Sequence, residues 1–228
     1  MNETTIRRCG LAAVVLASAS VLMAPMNALA RMQTEDGRSD LDSGLASWWA
    51  EPALHALQPW LLDFADPVTV YETFGKFYVF AVLAALACAL ATRSLRPAVK
   101  RWPERWGWRL TLTAYVMTAT GLFFTYWIAN LDAVYLFVTL PSMLISLFGH
   151  VFLAIGLLRT GFRPRLGAIL LLLEFPLSVA LVAISTQALG MWPMMFAWGV
   201  IGWSLWRGDP LPGDLGSRRV AAPHALGA

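Results

Sequence analysis

The sequence predicts an all-α bundle of membrane-spanning helices, and three observations lead to this class. Hydrophobic residues make up 58% of the 228 positions and charged residues only 14%, with a mean hydropathy of +0.60. An ordinary soluble domain carries about 25% charged residues. The apolar residues gather into runs of about 20 residues, the length that crosses a bilayer core. The third observation is the distribution of charge between these runs.

Basic residues lie almost entirely on one side of the predicted membrane. Of the 17 lysines and arginines, only Arg31, Arg38 and Lys76 lie on the other side, where eight acidic residues gather between Glu35 and Glu72. Basic segments flanking membrane spans stay in the cytoplasm. We therefore predict a multi-pass protein of the plasma membrane, with residues 31–73 extracytoplasmic and the C-terminus cytoplasmic.

Residues 1–30 have two interpretations. Arg7 and Arg8 precede an apolar stretch of 13 residues, 11–23, and Ala28-Leu29-Ala30 follows as an A-x-A cleavage site. This order is typical of a secretory signal peptide, whose apolar region is shorter than a membrane span. The alternative is an uncleaved first helix over residues 11–30. We favour the signal peptide because of the short apolar stretch.

The acidic segment 31–73 contains the longest polar stretch before the predicted spans. Leu54, Leu57, Leu61 and Phe64 fall on one helical face, and tryptophans at 48, 49 and 60 accompany them. An apolar helical face with aromatic anchors predicts an amphipathic segment lying flat in the outer membrane interface. A small cap packed on the bundle is an equally good interpretation.

Five spans are predicted within the bundle, which occupies residues 74–206. Their ranges are 74–91, 110–129, 135–158, 166–187 and 191–206. An uncleaved N-terminal helix would be a sixth span. The tail, residues 207–228, is rich in Pro, Gly and Ala, so we expect it to be disordered and cytoplasmic.

The loop between the first two of these spans combines basic and aromatic residues. Such a loop beside a span favours anionic lipid headgroups, with each basic residue contributing about 1 kcal/mol. The candidate lipid contacts are Arg96, Lys100, Arg101, Arg105, Trp102 and Trp106. A plain topology signal without a specific lipid is the simpler interpretation, and we favour it.

Two ionisable residues fall inside predicted spans, where burying a charge is costly. His150 lies eight residues before Leu158, and Glu174 lies eight residues after Leu166, on two spans joined by a short basic turn. At 1.5 Å per residue both lie about 12 Å inside the membrane, so they should face each other. We expect either a hydrogen-bonded pair that fixes two helices, which we favour, or a pair that handles protons or a ligand.

Other chemistry finds little support in the sequence. A closed zinc site usually needs four ligands, which the predicted spans lack, and they contain one histidine, so we predict no metal and no cofactor. No nucleotide-binding or hydrolase motif occurs, and no basic domain suggests nucleic acid. We expect a non-enzymatic accessory or lipid-interface protein, with the bilayer and another membrane protein as its candidate partners. The alternatives are a small proton-coupled transporter or ligand-binding protein using His150 and Glu174, and, last, an intramembrane enzyme.

Overall fold

The computed structural model describes residues 1–42, 44–96, 101–128, 132–185 and 188–209. Within these ranges the regular structure is helical and no β-strand occurs, which confirms the predicted all-α class. The helices are α1 (Glu3–Gln33), α2 (Gly44–Leu57), α3 (Pro67–Ser94), α4 (Trp102–Phe123), α5 (Asp132–Val134), α6 (Leu140–Arg159), α7 (Arg165–Leu172), α8 (Glu174–Ser185) and α9 (Trp192–Arg207). Most of the tail that we predicted to be disordered, residues 210–228, lies outside the described residues.

Helix α1 is continuous for 31 residues. It begins after Asn2, whose side chain accepts a hydrogen bond from the backbone N–H of Thr5 at 2.8 Å, the usual way to satisfy a free donor at a helix start. At 1.5 Å per residue the helix is about 46 Å long, more than a bilayer core needs. The expected cleavage site, Ala28-Leu29-Ala30, lies inside this helix and is fully buried. By length and composition this helix is one of those that could cross a membrane.

Fewer helices are suited to crossing a membrane than the five predicted spans. Within the described residues three are long and apolar enough, namely α1, α3 and the segment Tyr135–Arg159 that ends with α6, and the bent pair α7–α8 makes a fourth if counted as one span. Helix α9 has 16 residues and is about 24 Å long. Helix α4 carries Glu104, Arg105 and Arg109 near its start, which shortens its apolar part.

The pair α7–α8 is bent by 64°. The cause is Pro176, which has no N–H to donate to the carbonyl of Leu172 and whose ring clashes with that carbonyl. The helix therefore breaks at Leu173, and Leu177 donates to the carbonyl of Leu173 at 3.1 Å beyond the break. Glu174 becomes the first residue of α8.

Small residues let the helices approach closely. Helix α1 packs between α3 and α9, and a β-carbon added to Gly202 of α9 would lie 2.6 Å from the carbonyl oxygen of Gly10. Helices α4 and α6 cross in the same way, since a β-carbon on Gly149 would lie 2.8 Å from the backbone nitrogen of Thr111. Without a hydrophobic force between helices in lipid, such close packing supplies much of the association energy.

Helix α2 covers the end of the bundle where α1 ends and α3 begins, which we call the outer end. Ala46 and Ala50 are buried against the bundle, and Trp49 donates its indole N–H to the carbonyl of Ile184 in α8 at 2.9 Å. The segment is thus a cap packed on the bundle, the second of the two interpretations. Trp48 and Trp60 nevertheless point outward, with 81% and 83% of their surface exposed.

Candidate functional site

The structure brings His150 and Glu174 together in the bundle interior. His150 lies on α6 with no exposed surface, and its Nδ1 is hydrogen-bonded to Oε2 of Glu174 at the start of α8. Glu174 is the residue that directly follows the break at Leu173. The sequence predicts that His150 and Glu174 lie at the same depth in the membrane, and in the structure the two side chains are in direct contact.

Two further side chains extend the pair into a longer network. The hydroxyl of Tyr115, on α4, lies 2.6 Å from Nε2 of His150, and the indole N–H of Trp198, on α9, donates to the same hydroxyl. Each of these two residues is 1% exposed. We call Trp198, Tyr115, His150 and Glu174 the polar seam. It connects four helices that are distant in sequence.

The number of donor protons in the polar seam indicates that its hydrogen bonds all run in one direction, from Trp198 toward Glu174. The indole of Trp198 can only donate, so the Tyr115 oxygen accepts, and the single hydroxyl proton of Tyr115 is free to go to Nε2 of His150. A neutral His150 then carries its proton on Nδ1 and donates it to the carboxylate of Glu174. In this arrangement each donor along the seam has one acceptor. The Glu174 side chain keeps 9% exposure, against none for His150, so the carboxylate end is the part nearest the surface.

Aromatic packing closes the region around the polar seam. The Trp198 ring lies 6.4 Å from the Trp108 ring and 6.2 Å from the Tyr115 ring, measured between centroids. A space of about 10 Å³ touches the seam at Trp198 and is lined otherwise by alanines, Leu16 and Met195. A cavity must be polar and reach about 10–15 Å³ to hold one water, and this space is at the lower limit of that volume. This space and two cavities at the outer end of the bundle do not include His150 or Glu174.

A second buried ionic cluster lies at the opposite, inner end of the bundle. The guanidinium of Arg96 forms a bidentate pair with Glu104, with both nitrogen–oxygen distances at 3.0 Å. It also donates to the hydroxyl of Thr160 at 2.6 Å, and Trp108 donates to Glu104 at 3.2 Å. We call this cluster the Arg96 clamp, since it connects the ends of α3, α4 and α6.

The Arg96 clamp corrects one prediction about lipid contacts. Arg96 was expected to face anionic headgroups, but its side chain is 4% exposed and pairs with Glu104. Four of the other candidates, Arg101, Trp102, Arg105 and Trp106, are exposed as a lipid contact requires. Lys100 lies outside the described residues.

The described residues contain no group of three or more His, Cys, Asp or Glu side chains arranged to hold a metal ion. Comparisons with protein-family models, with curated proteins and with solved structures find no match to this chain. The interpretation of its function therefore depends on its own geometry.

Proposed function

We propose that the chain is a non-catalytic multi-pass protein of the plasma membrane, acting as an accessory or lipid-interface protein, in which the polar seam is a structural lock. The observation that carries this proposal is the closure of the seam. His150 has no exposed surface, and both of its ring nitrogens are hydrogen-bonded to buried side chains. A catalytic or transporting histidine needs a route for its substrate or proton.

The orientation follows from the distribution of charge. We place the inner end, with the exposed Arg101, Arg105 and Arg109, in the cytoplasm, and the acidic outer end outside the cell. Residues 1–30 stay attached as the first spanning helix in this proposal, because their removal would expose buried surface of α3 and α9.

Exposed tryptophans at both ends support a role at the lipid interface. Trp48 and Trp60 project from the outer cap, and Trp102 and Trp106 project at the inner end. Indole rings concentrate at the two headgroup layers of a bilayer. At the inner end the guanidinium of Arg109 lies 5.4 Å from the Trp106 ring, so cation and ring present one surface to the headgroups.

A proton-coupled carrier is the second candidate, because one observation favours it. The α7–α8 bend of 64° places an ionisable residue, Glu174, beside a broken helix. Broken helices that present ion-binding groups are a recurring feature of transporters. In that case protons would reach the polar seam through the Glu174 carboxylate, whose side chain is buried but keeps 9% exposure.

Replacement of Glu174 distinguishes a lock from a proton carrier. Glu174→Gln should leave the thermal unfolding of the purified protein nearly unchanged, because the amide oxygen still accepts the proton of His150 Nδ1. Glu174→Leu should lower the free energy of unfolding by about 1–3 kcal/mol, because it leaves that buried N–H without a partner. Glu51→Leu, at an exposed carboxylate of α2, is the control and should have little effect.

The same variants test the second candidate in liposomes. If the wild-type protein moves protons across the bilayer and Glu174→Gln abolishes the movement while keeping its fold, the polar seam is a proton path and the lock proposal is wrong. Equal stability of the Leu and Gln variants would also contradict the lock.

A further inference from the structure

Three arginines form a row on the exposed side of α4, beginning at the inner end of the bundle. Arg101, Arg105 and Arg109 are exposed and follow each other at intervals of four residues, so they lie on one side of the helix. The same exposed side continues through Thr113 and Val116 toward the outer end. We call the three residues the arginine row. It extends from the end of the bundle along its side.

The packing of α4 against α6 shows how far the arginine row extends. Gly107 of α4 lies against Leu153 of α6, and Thr111 lies against Gly149. Arg109 lies between Gly107 and Thr111 in α4, so it is level with a point on α6 about 12 Å from the inner end of that helix, at 1.5 Å per residue. Because α6 belongs to a segment suited to crossing a membrane, Arg109 lies deeper than a basic residue in a loop that only sets orientation.

The protein itself does not neutralise the arginine row. Glu104, the acidic residue of the first turn of α4, is already occupied by the guanidinium of Arg96. Among the described residues, no carboxylate forms an ion pair with a guanidinium of the row. A charged side chain at membrane depth is costly and almost always has a partner. The partner of the row therefore comes from outside the described chain.

The side chain of Arg109 is directed back toward the inner end. Its guanidinium lies 5.4 Å from the ring centroid of Trp106, which is about one turn closer to the start of α4. Long side chains in helices point toward the helix start, and arginines in membranes extend their charged group toward the interface. This direction brings the guanidinium of Arg109 toward Arg105, so that both can contact one anion.

Two tryptophans accompany the arginine row and are suited to the headgroup layer. Trp102 and Trp106 are exposed, and the Trp102 ring packs against the Phe152 ring of α6, with 5.5 Å between centroids. Neither indole N–H donates to another described residue, so both are free to donate to an external oxygen. Indole rings of this kind concentrate at the interface between headgroups and acyl chains. The surface thus combines unpaired guanidinium groups with donors at lipid depth.

We propose that the arginine row binds the phosphate of an anionic phospholipid from the cytoplasmic leaflet, which deepens the lipid-interface role proposed above and rests on it. Guanidinium groups bind phosphate oxygens in a bidentate manner. A lipid of net negative charge is favoured over a zwitterionic one, because the charge of the row is uncompensated and the cytoplasmic leaflet carries anionic lipids. The exposed apolar side of α4 above Arg109, which includes Val116, would contact the acyl chains.

Two lipids and one soluble phosphate test the proposal. The full-length protein in mild detergent is titrated with dioleoylphosphatidylglycerol, with the zwitterionic dioleoylphosphatidylcholine and with glycerol 3-phosphate, and bound molecules are counted by native mass spectrometry. The phosphatidylglycerol should bind at least tenfold more tightly than either of the others. Equal binding of the two lipids would overturn the proposal. Equally tight binding of glycerol 3-phosphate would assign the row to a soluble anion and would also overturn it.

Two double variants with equal loss of charge locate the binding. Arg105→Gln with Arg109→Gln should keep the unfolding temperature measured without lipid, because both side chains are exposed and unpaired, while weakening phosphatidylglycerol binding at least tenfold. Arg163→Gln with Arg165→Gln removes two exposed arginines from the turn before α7 and should bind like the wild type. Equal loss in the two double variants would show a general attraction to inner-end charge and would contradict this site.

The outcomes separate this proposal from the structural lock. Binding in detergent does not involve the polar seam, so a missing lipid preference would contradict the arginine row as a lipid site and leave the Glu174 experiment unaffected. A protein that copurifies with the wild type but not with the Arg105→Gln, Arg109→Gln variant would assign this side of α4 to a protein partner. That result would also overturn the lipid proposal.

Discussion

Replacing Arg96 with methionine is expected to lower the free energy of unfolding by about 3–5 kcal/mol, because it leaves a buried carboxylate without its partner. Glu104 is 1% exposed and accepts both arms of the Arg96 guanidinium. The variant also frees the hydroxyl of Thr160 from its contact at the end of α6. Denaturant unfolding of the purified protein measures the loss.

Two comparison variants identify the cause of that loss. Arg105→Met removes an exposed arginine next to Glu104 in sequence and should change stability little. The double variant Arg96→Met with Glu104→Met removes both charges and should recover much of the stability, since an apolar replacement of a buried pair is often nearly neutral. A double variant no more stable than Arg96→Met would show that lost packing, rather than the unpaired charge, is responsible.

Removal of residues 1–30 is expected to prevent folding altogether. Helix α1 packs against α3 and α9, and Ala24, Ala28, Leu29 and Ala30 have no exposed surface. It also supplies the backbone carbonyl of Ser20 to the indole of Trp192 at 2.9 Å. A chain starting at Arg31 would leave these partners uncovered.

Intact-mass analysis of the membrane-extracted protein, together with expression of the truncated chain, tests this expectation. The extracted protein should retain residues 1–30, and the truncated chain should fail to give a monodisperse particle in detergent. A dominant mature chain beginning at Arg31 that unfolds cooperatively would contradict the account of α1.

The sequence leads to His150 and Glu174 but not to their other partners. A short turn joins the two spans concerned, so counting residues from that turn gives comparable depths. Tyr115 and Trp198 lie on helices whose position relative to α6 depends on packing, which a depth count does not supply. The sequence contains one clue to Tyr115. This residue follows Thr111 by four positions and therefore lies on the same face of α4, the face that packs against Gly149 of α6.

Local charge patterns misled the prediction for Arg96. In the sequence, Glu104 is a single acidic residue among six basic ones, so the loop is typical of a surface exposed to lipid headgroups. The pairing depends on the fold, because the ends of α3 and α4 meet α6 and bury both groups.

The number of membrane spans was overestimated because the length of an apolar run does not by itself make a straight spanning helix. Charged residues shorten the apolar part of α4, and Pro176 bends the run that forms α7 and α8.

Chemical modification of histidine tests the central claim, which is that the polar seam is closed. The folded protein is treated with diethyl pyrocarbonate, and the modified sites are located by mass spectrometry. His55, exposed on α2, should react, whereas His150, without exposed surface and bonded at both ring nitrogens, should react only after unfolding. Modification of His150 at a rate comparable to that of His55 in the folded protein would contradict the structural lock.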